Sequence, residues 1–154
     1  MALKKIVSGG QSGADFAGLL AGRDLGLETG GTAPKGWRIC LPDGKDGSNP
    51  GLAEFGLVEH ASRDYPPRTR QNVADSDGTV WFGYENSGGG LLTARTCAHL
   101  GKPFFPNPSP TALRDWVQHQ GIEVLNVAGN RASDFNPDIE SVTYSTLIEA
   151  FGNG

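Results

Sequence analysis

Blocks of strand-type and helix-type hydrophobicity alternate along the whole chain. Short apolar runs at 3–8, 78–82 and 123–127 are typical of buried strands, and apolar residues recur at helical spacing over 14–25 and 112–120. The weaker segments continue the alternation: strands at 29–33 and 102–105, and helices at 69–74, at 91–100 and towards the C-terminus from near 137. The segment 34–49 has no period and predicts a long loop, while 52–61 is ambiguous.

Strands that alternate with helices predict an α/β fold. We expect a single domain over 1–154, built on a mostly parallel sheet of about five or more strands with helices on both faces. In such a sheet, ligands bind at the carboxyl ends of the strands, where the winding direction switches.

Glycines cluster at the carboxyl ends of three predicted strands, at 9–13, 30–36 and 88–90. A glycine-rich turn that opens a helix directs free backbone N–H groups at one point, which favours an anion. The loop 9–13 has neither the dinucleotide spacing nor the Gly-Lys-Ser/Thr of a Walker A loop, so it predicts an anion cradle of another type. The loop 88–90 predicts a second cradle on a neighbouring strand, although a glycine hinge also fits. Two cradles suit a ligand that is anionic in two places.

Polar side chains near these loops are candidates to bind the same ligand. Lys35 or Arg68 would supply positive charge, with a solvated turn lysine as the plainer interpretation of Lys35. Arg68 and Thr69 are predicted at a helix N-terminus, and Asn72 shares their face of the helix. Directed hydrogen bonds would come from Gln11, Ser12, Asn72 and Thr93.

Charge, composition and the cysteine positions exclude several classes of partner and site. The net charge of −4 disfavours a nucleic-acid partner. No signal peptide and no membrane span is indicated, which predicts a cytoplasmic protein without a membrane partner. Cys40 and Cys97 are expected to be free thiols, and no residues show metal-ligand spacing. Glu59 is the one acid kept as a candidate general base.

Several motifs together resemble the molybdenum cofactor carrier proteins, a Rossmann-like family related to the LOG-type "lysine decarboxylase" group. They are Ser-Gly-Gly-Gln-Ser-Gly-Ala-Asp at 8–15, Pro-Lys-Gly at 34–36, Arg-Thr-x-x-Asn-Val-x-x-Ser-Asp at 68–77, Gly-Gly at 88–89 and Leu-Asn-Val-Ala-Gly at 125–129. The resemblance implies a Rossmann-like three-layer sandwich that carries or stores the molybdenum cofactor. With the loops above, it predicts as cofactor-binding residues Gly9, Gly10, Gln11, Ser12, Gly13, Asp15, Lys35, Gly36, Arg68, Thr69, Asn72, Ser76, Gly88, Gly89, Gly90 and Thr93.

One departure bears on catalysis. Where LOG-type nucleotide hydrolases carry a catalytic glutamate after the second glycine loop, this chain has Thr96, which cannot serve as an acid or base at neutral pH. The resemblance therefore implies a carrier without catalytic residues. It also implies a homo-oligomer, dimer or tetramer, and molybdoenzymes or cofactor-synthesis enzymes as partners. Two alternatives stay open: a nucleoside monophosphate N-glycosidase, and a nucleotide-binding sensor without turnover.

Overall fold

A six-stranded parallel sheet forms the centre of the computed structural model, which describes residues 3–152. Its strands are β1 (Lys5–Val7), β2 (Glu28–Ala33), β5 (Leu57–Glu59), β6 (Gly78–Phe82), β7 (Phe104–Pro106) and β8 (Val124–Gly129). They lie in the order β5-β2-β1-β8-β6-β7. The last strand of the chain thus enters the middle of the sheet, so β1 and β6 are separated by β8. The expectation that the two glycine loops follow neighbouring strands is therefore wrong.

Helices cover both faces of this sheet. They are α1 (Ala14–Asp24), α2 (Tyr65–Ala74), α3 (Gly88–Leu100), α4 (Pro110–Gln120) and α5 (Ile139–Phe151). One face carries α1, α4 and α5, which pack on each other, and the other carries α2 and α3. The predicted Rossmann-like three-layer sandwich is confirmed. No helix within residues 3–152 is long and apolar enough to cross a membrane.

The segment 34–49, predicted as a loop, contains regular structure. A 3₁₀ turn at Lys35–Trp37 leads into β3 (Arg38–Cys40), which pairs antiparallel with β4 (Asp46–Ser48). Each strand has three residues and no alternation of apolar and polar side chains, so the hairpin leaves little trace in the sequence pattern. The ambiguous segment that follows divides into a 3₁₀ turn at Pro50–Phe55 and the edge strand β5.

Two helices begin earlier than the sequence predicts. Helix α2 starts at Tyr65, because Pro66 and Pro67 fit the first turn of a helix. Arg68 and Thr69 therefore lie inside α2 and not at its N-terminus. Helix α3 starts at Gly88, so the glycine triplet forms its first turn rather than a preceding loop.

The two faces of the sheet differ in polarity. The face under α1, α4 and α5 is an apolar core that includes Ile6, Val80, Leu125 and Leu147, each fully buried. The face under α2 and α3 instead carries the buried polar residues Thr79 and Asn126 from the strands and Asn72 and Thr93 from the helices. Burying polar groups is costly unless they are satisfied, so a polar layer of this kind indicates a binding face.

Candidate functional site

A cleft of about 540 Å³ opens at the carboxyl edge of the sheet, within the size range of small-molecule sites. The ends of β1, β8 and β6 form its floor, and α2 and α3 form its sides. This is where the strand order reverses, the place at which open α/β sheets bind ligands.

The cleft brings together nine of the sixteen predicted binding residues: Gly9, Gln11, Asp15, Arg68, Thr69, Asn72, Gly88, Gly89 and Thr93. The other seven do not line it: Gly10, Ser12, Gly13, Lys35, Gly36, Ser76 and Gly90.

The amides of the first glycine loop are already paired within the chain. The Gly10 amide donates to Ser8 Oγ at 3.2 Å, and the Ser12 amide donates to Gln11 Oε1 at 3.0 Å. The Gly13 amide donates to Glu140 Oε1 at 3.4 Å. The expectation that this loop offers free N–H groups is thus wrong for these residues, because internal acceptors occupy them.

The anion in the first glycine loop is the carboxylate of Asp15. The Gln11 amide donates to Asp15 Oδ2 at 3.3 Å, and the amides of Gly9 and Gly129 also bond to this carboxylate. Burial raises the pKa of Asp15 to about 6, although Arg68 and the three amides act to lower it. Asp15 lines the cleft, so a buried carboxylate with a raised pKa stands in its wall.

Arg68 is held over the first glycine loop. Its guanidinium would lie 2.6–2.9 Å from a Cβ on Gly9, so the glycine leaves the room it occupies. Its Nη1 donates to Thr69 Oγ1 at 2.7 Å, and its charge lies 5.3 Å from the centre of the Tyr65 ring. Burial lowers the pKa of Arg68, and Asp15 opposes that shift. Its buried Nε has no acceptor within residues 3–152.

The N-terminus of α3 forms the opposite side of the cleft. Ser87 caps the helix by accepting from the Gly90 amide at 3.1 Å. The amides of Gly88 and Gly89 have no acceptor in the described part of the chain, and both residues line the cleft. These N–H groups and the helix dipole favour an anion here. The Thr93 hydroxyl donates back to the Gly89 carbonyl at 2.8 Å.

Two side chains from the strands form the floor. Trp81 of β6 is 3% exposed, and its Nε1 is a buried donor without an acceptor among residues 3–152. Asn126 of β8 donates from Nδ2 to Thr79 Oγ1 at 3.2 Å. Asn72 lines the cleft as well, but its amide is occupied by two hydrogen bonds to the backbone of Thr32.

The β3–β4 hairpin supplies one wall through Cys40. Gln11 Oε1 accepts from the Cys40 amide at 2.7 Å, and Ser12 Oγ donates to the Cys40 carbonyl at 2.8 Å. Arg131, which follows β8, donates to the Leu41 carbonyl at 3.3 Å. Ser12 therefore fastens the hairpin to the first glycine loop.

The remaining predicted residues have other partners. Lys35 and Gly36 are exposed, and the Gly36 amide donates to Glu59 Oε1 at 2.7 Å, away from the cleft. The Ser76 hydroxyl donates to the Val73 carbonyl at the end of α2. Thr96 donates to the Leu92 carbonyl within α3 and does not line the cleft.

Sequence reasoning missed several cleft residues. Tyr65 lies in a segment for which the pattern predicts no element, Cys40 lies in the predicted loop 34–49, and Trp81 and Asn126 lie in predicted strands. Asn126 had a detectable signal, since it is a polar residue between Leu125 and Val127 in an apolar strand. Within residues 3–152 no group of three or more His, Cys, Asp or Glu side chains is placed to hold a metal ion.

Comparison with known proteins agrees with this architecture. The model of the circularly permutated YpsA SLOG family matches residues 6–151. A crystal structure of a "putative molybdenum carrier protein" from Syntrophus aciditrophicus SB is similar with a TM-score of 0.83 and 34% identity, over 97% of this chain and 95% of that one. No curated protein sequence matches the chain.

Proposed function

Since the chain belongs to the circularly permutated YpsA SLOG family, we propose that it binds the molybdenum cofactor as cargo and carries or stores it. The similar structure from S. aciditrophicus, named for molybdenum carriage, supports this choice of cargo. The cofactor is a pterin with a terminal phosphate and a dithiolene-held molybdenum, so it is anionic in two places.

The observation that carries the proposal is a set of unpaired donors around one cleft. Gly88 N–H, Gly89 N–H, Trp81 Nε1 and Arg68 Nε have no acceptor within residues 3–152, and all four residues line the cleft. Leaving a buried donor unsatisfied costs about 1–3 kcal/mol, so acceptors on a ligand would be stabilised at Trp81 Nε1 and Arg68 Nε. Gly88 and Gly89 are exposed, and their N–H groups favour an anion because they lie at a helix N-terminus. We assign the phosphate to the α3 amides, and the other anionic end to the side of Arg68.

The residues of the cleft favour binding of a ligand over its hydrolysis. Asp15 is the one acidic residue among those that line it, and its carboxylate is bonded to three backbone amides. Glu59, the acid that the sequence offers as a candidate general base, is exposed and lies outside the cleft lining. Incubation with nucleoside monophosphates should therefore release no free base, and release of base would favour the N-glycosidase alternative.

Gly89 is the position at which to test the proposal. A Cβ on Gly89 would lie 3.6 Å from the Trp81 ring, an ordinary contact, so α3 should tolerate Gly89→Leu while the side chain blocks the amides. Gly10 is unsuitable, because its φ of +75° and its contact with Leu52 would disturb the fold. Ala98→Leu, an exposed change on the same helix, is the matched control.

The experiment measures retention of molybdopterin and molybdenum. The proteins would be incubated without oxygen with cofactor released from a molybdoenzyme, then separated by gel filtration and assayed for pterin fluorescence and bound molybdenum. Wild type and Ala98→Leu should retain both, and Gly89→Leu should retain at least tenfold less. Equal retention by Gly89→Leu, or none by wild type, would overturn the proposal.

A further inference from the structure

The cleft contains a buried acid that cargo binding alone does not explain. Asp15 is 4% exposed, and its carboxylate accepts from the Gln11 amide in the glycine loop that the sequence predicts for a ligand. An anionic ligand that contacts Arg68 would bring a second negative charge to the same guanidinium. Two negative charges close together in a buried site cannot both be neutralised by one cation, so one of them is disfavoured.

The groups around Asp15 determine how the second negative charge can be neutralised. Arg68 and Tyr65 of α2 line the cleft together with Asp15, and so do Cys40 of β3 and Arg131 of the loop after β8. On the α5 side, Glu140 accepts from the neighbouring Gly13 amide. Among these groups, the charge of Arg68 is the one that acts on Asp15. The Arg131 guanidinium donates instead to the carbonyls of Leu41 and Ala132.

We propose that Asp15 is a positioning residue for Arg68 that takes up one proton from solvent when an anionic ligand binds in the cleft. In the free protein the Asp15 carboxylate attracts the guanidinium towards Gly9. With the ligand bound, the added proton neutralises Asp15 and leaves the charge of Arg68 to the ligand. This inference rests on the proposed binding of an anion in the cleft.

Two observations support proton uptake by Asp15. The pKa of Asp15 is already raised to about 6 by burial, and the nearby negative charge of a ligand raises it further, so that once the pKa is well above 7 the carboxyl is neutral at pH 7. Its carboxyl also remains bonded to amides in either state, since a protonated carboxyl keeps acceptor capacity on its oxygens. By linkage, ligand affinity should then fall as pH rises, by at most about tenfold per pH unit.

The test measures how many protons the protein takes up for each ligand that it binds. Pterin-6-carboxylate is a suitable probe, because the pKa of its carboxyl group lies far below 7 and this group therefore stays ionised at the pH of the measurement. Calorimetry in buffers of different ionisation enthalpy should give an uptake close to one proton per ligand for the wild-type protein. Asp15→Asn should bind with almost no uptake, and Asp75→Asn, an exposed change at the end of α2, should behave as wild type.

The outcomes separate this inference from the proposed function. Binding to wild type without proton uptake, or with uptake that persists in Asp15→Asn, would overturn the role of Asp15 and leave carriage standing. No binding of the probe, together with no retention of molybdopterin, would overturn both. If Asp15→Asn does not fold, two measurements on the wild-type protein still test the proposal: the number of protons taken up on binding, and the ligand affinity between pH 6 and pH 8. A purely structural role for Asp15 predicts no proton uptake.

Discussion

The guanidinium of Arg68 lies directly over the α-carbon of Gly9, where a Cβ would be 2.6 Å from Nη1. Gly9 therefore serves the site by leaving space for a charged side chain, and the backbone that surrounds it binds the carboxylate of Asp15. The Asp15 carboxylate and the Arg68 guanidinium therefore both lie in the wall of the cleft, where the charge of Arg68 acts on Asp15.

Gly9→Ala should weaken anion binding while leaving the fold nearly intact. The φ of Gly9 is not in the left-handed region, and the clashing atoms belong to the end of a flexible side chain, so the free energy of unfolding should change by less than about 1 kcal/mol. The displaced guanidinium should lower affinity for pterin-6-carboxylate about tenfold, measured by fluorescence titration. Gly51→Ala, an exposed change, is the control, and unaltered affinity in Gly9→Ala would refute the role given to Arg68.

Asp15 should make stability depend on pH in an unusual direction. Its pKa is raised from 3.8 to about 6 on folding, so the folded state binds the proton more tightly than the unfolded chain. The stabilising contribution is fully present below about 3.8 and is lost as pH rises through about 6. Relative to Asp15→Asn, wild type should lose about 2 kcal/mol of unfolding free energy between pH 4 and pH 7. The prediction would be contradicted if the free energy of unfolding, measured with urea, changed with pH by the same amount in the two proteins.

Trp81→Phe should affect stability and binding differently. The change keeps an aromatic ring but removes Nε1, a buried donor that has no acceptor within 3–152. Unfolding free energy should stay constant or rise by up to about 1 kcal/mol, while ligand affinity falls about fivefold. Trp116 of α4 packs against Phe105 of β7, so Trp116→Phe provides the control for loss of an indole. A large loss of stability without a change in affinity would show that Trp81 is only a packing residue.

Asn72 should matter for the fold more than for direct ligand contact. Strand β1 pairs with β2 only as far as Gly30, and beyond it the Asn72 side chain accepts from Thr32 N–H at 2.8 Å and donates to its carbonyl at 3.0 Å. The side chain therefore continues the ladder where β1 has ended. Asn72→Ala should cost about 2–4 kcal/mol in denaturant unfolding, since two backbone groups lose their partners. Gln71→Ala, next to it and exposed, should cost far less.

The sequence could predict the layers and the edge of the sheet that holds the site, because hydrophobic period and glycine position are local signals. It could not predict that β8 lies between β1 and β6, since strand order depends on long-range packing. It also could not show that Asp15 would occupy the amides of the first glycine loop, because that depends on the path of the turn. The same loop pattern would have suited a phosphate or an internal carboxylate.

The position of a bound anion tests this account most directly. A crystal structure of the protein with pterin-6-carboxylate should place the ligand carboxylate within hydrogen-bonding distance of the Gly88 and Gly89 amides or of Arg68, with Asp15 still held by the amides of Gly9, Gln11 and Gly129. A ligand that displaces Asp15 from those amides, or that binds outside the cleft, would contradict it.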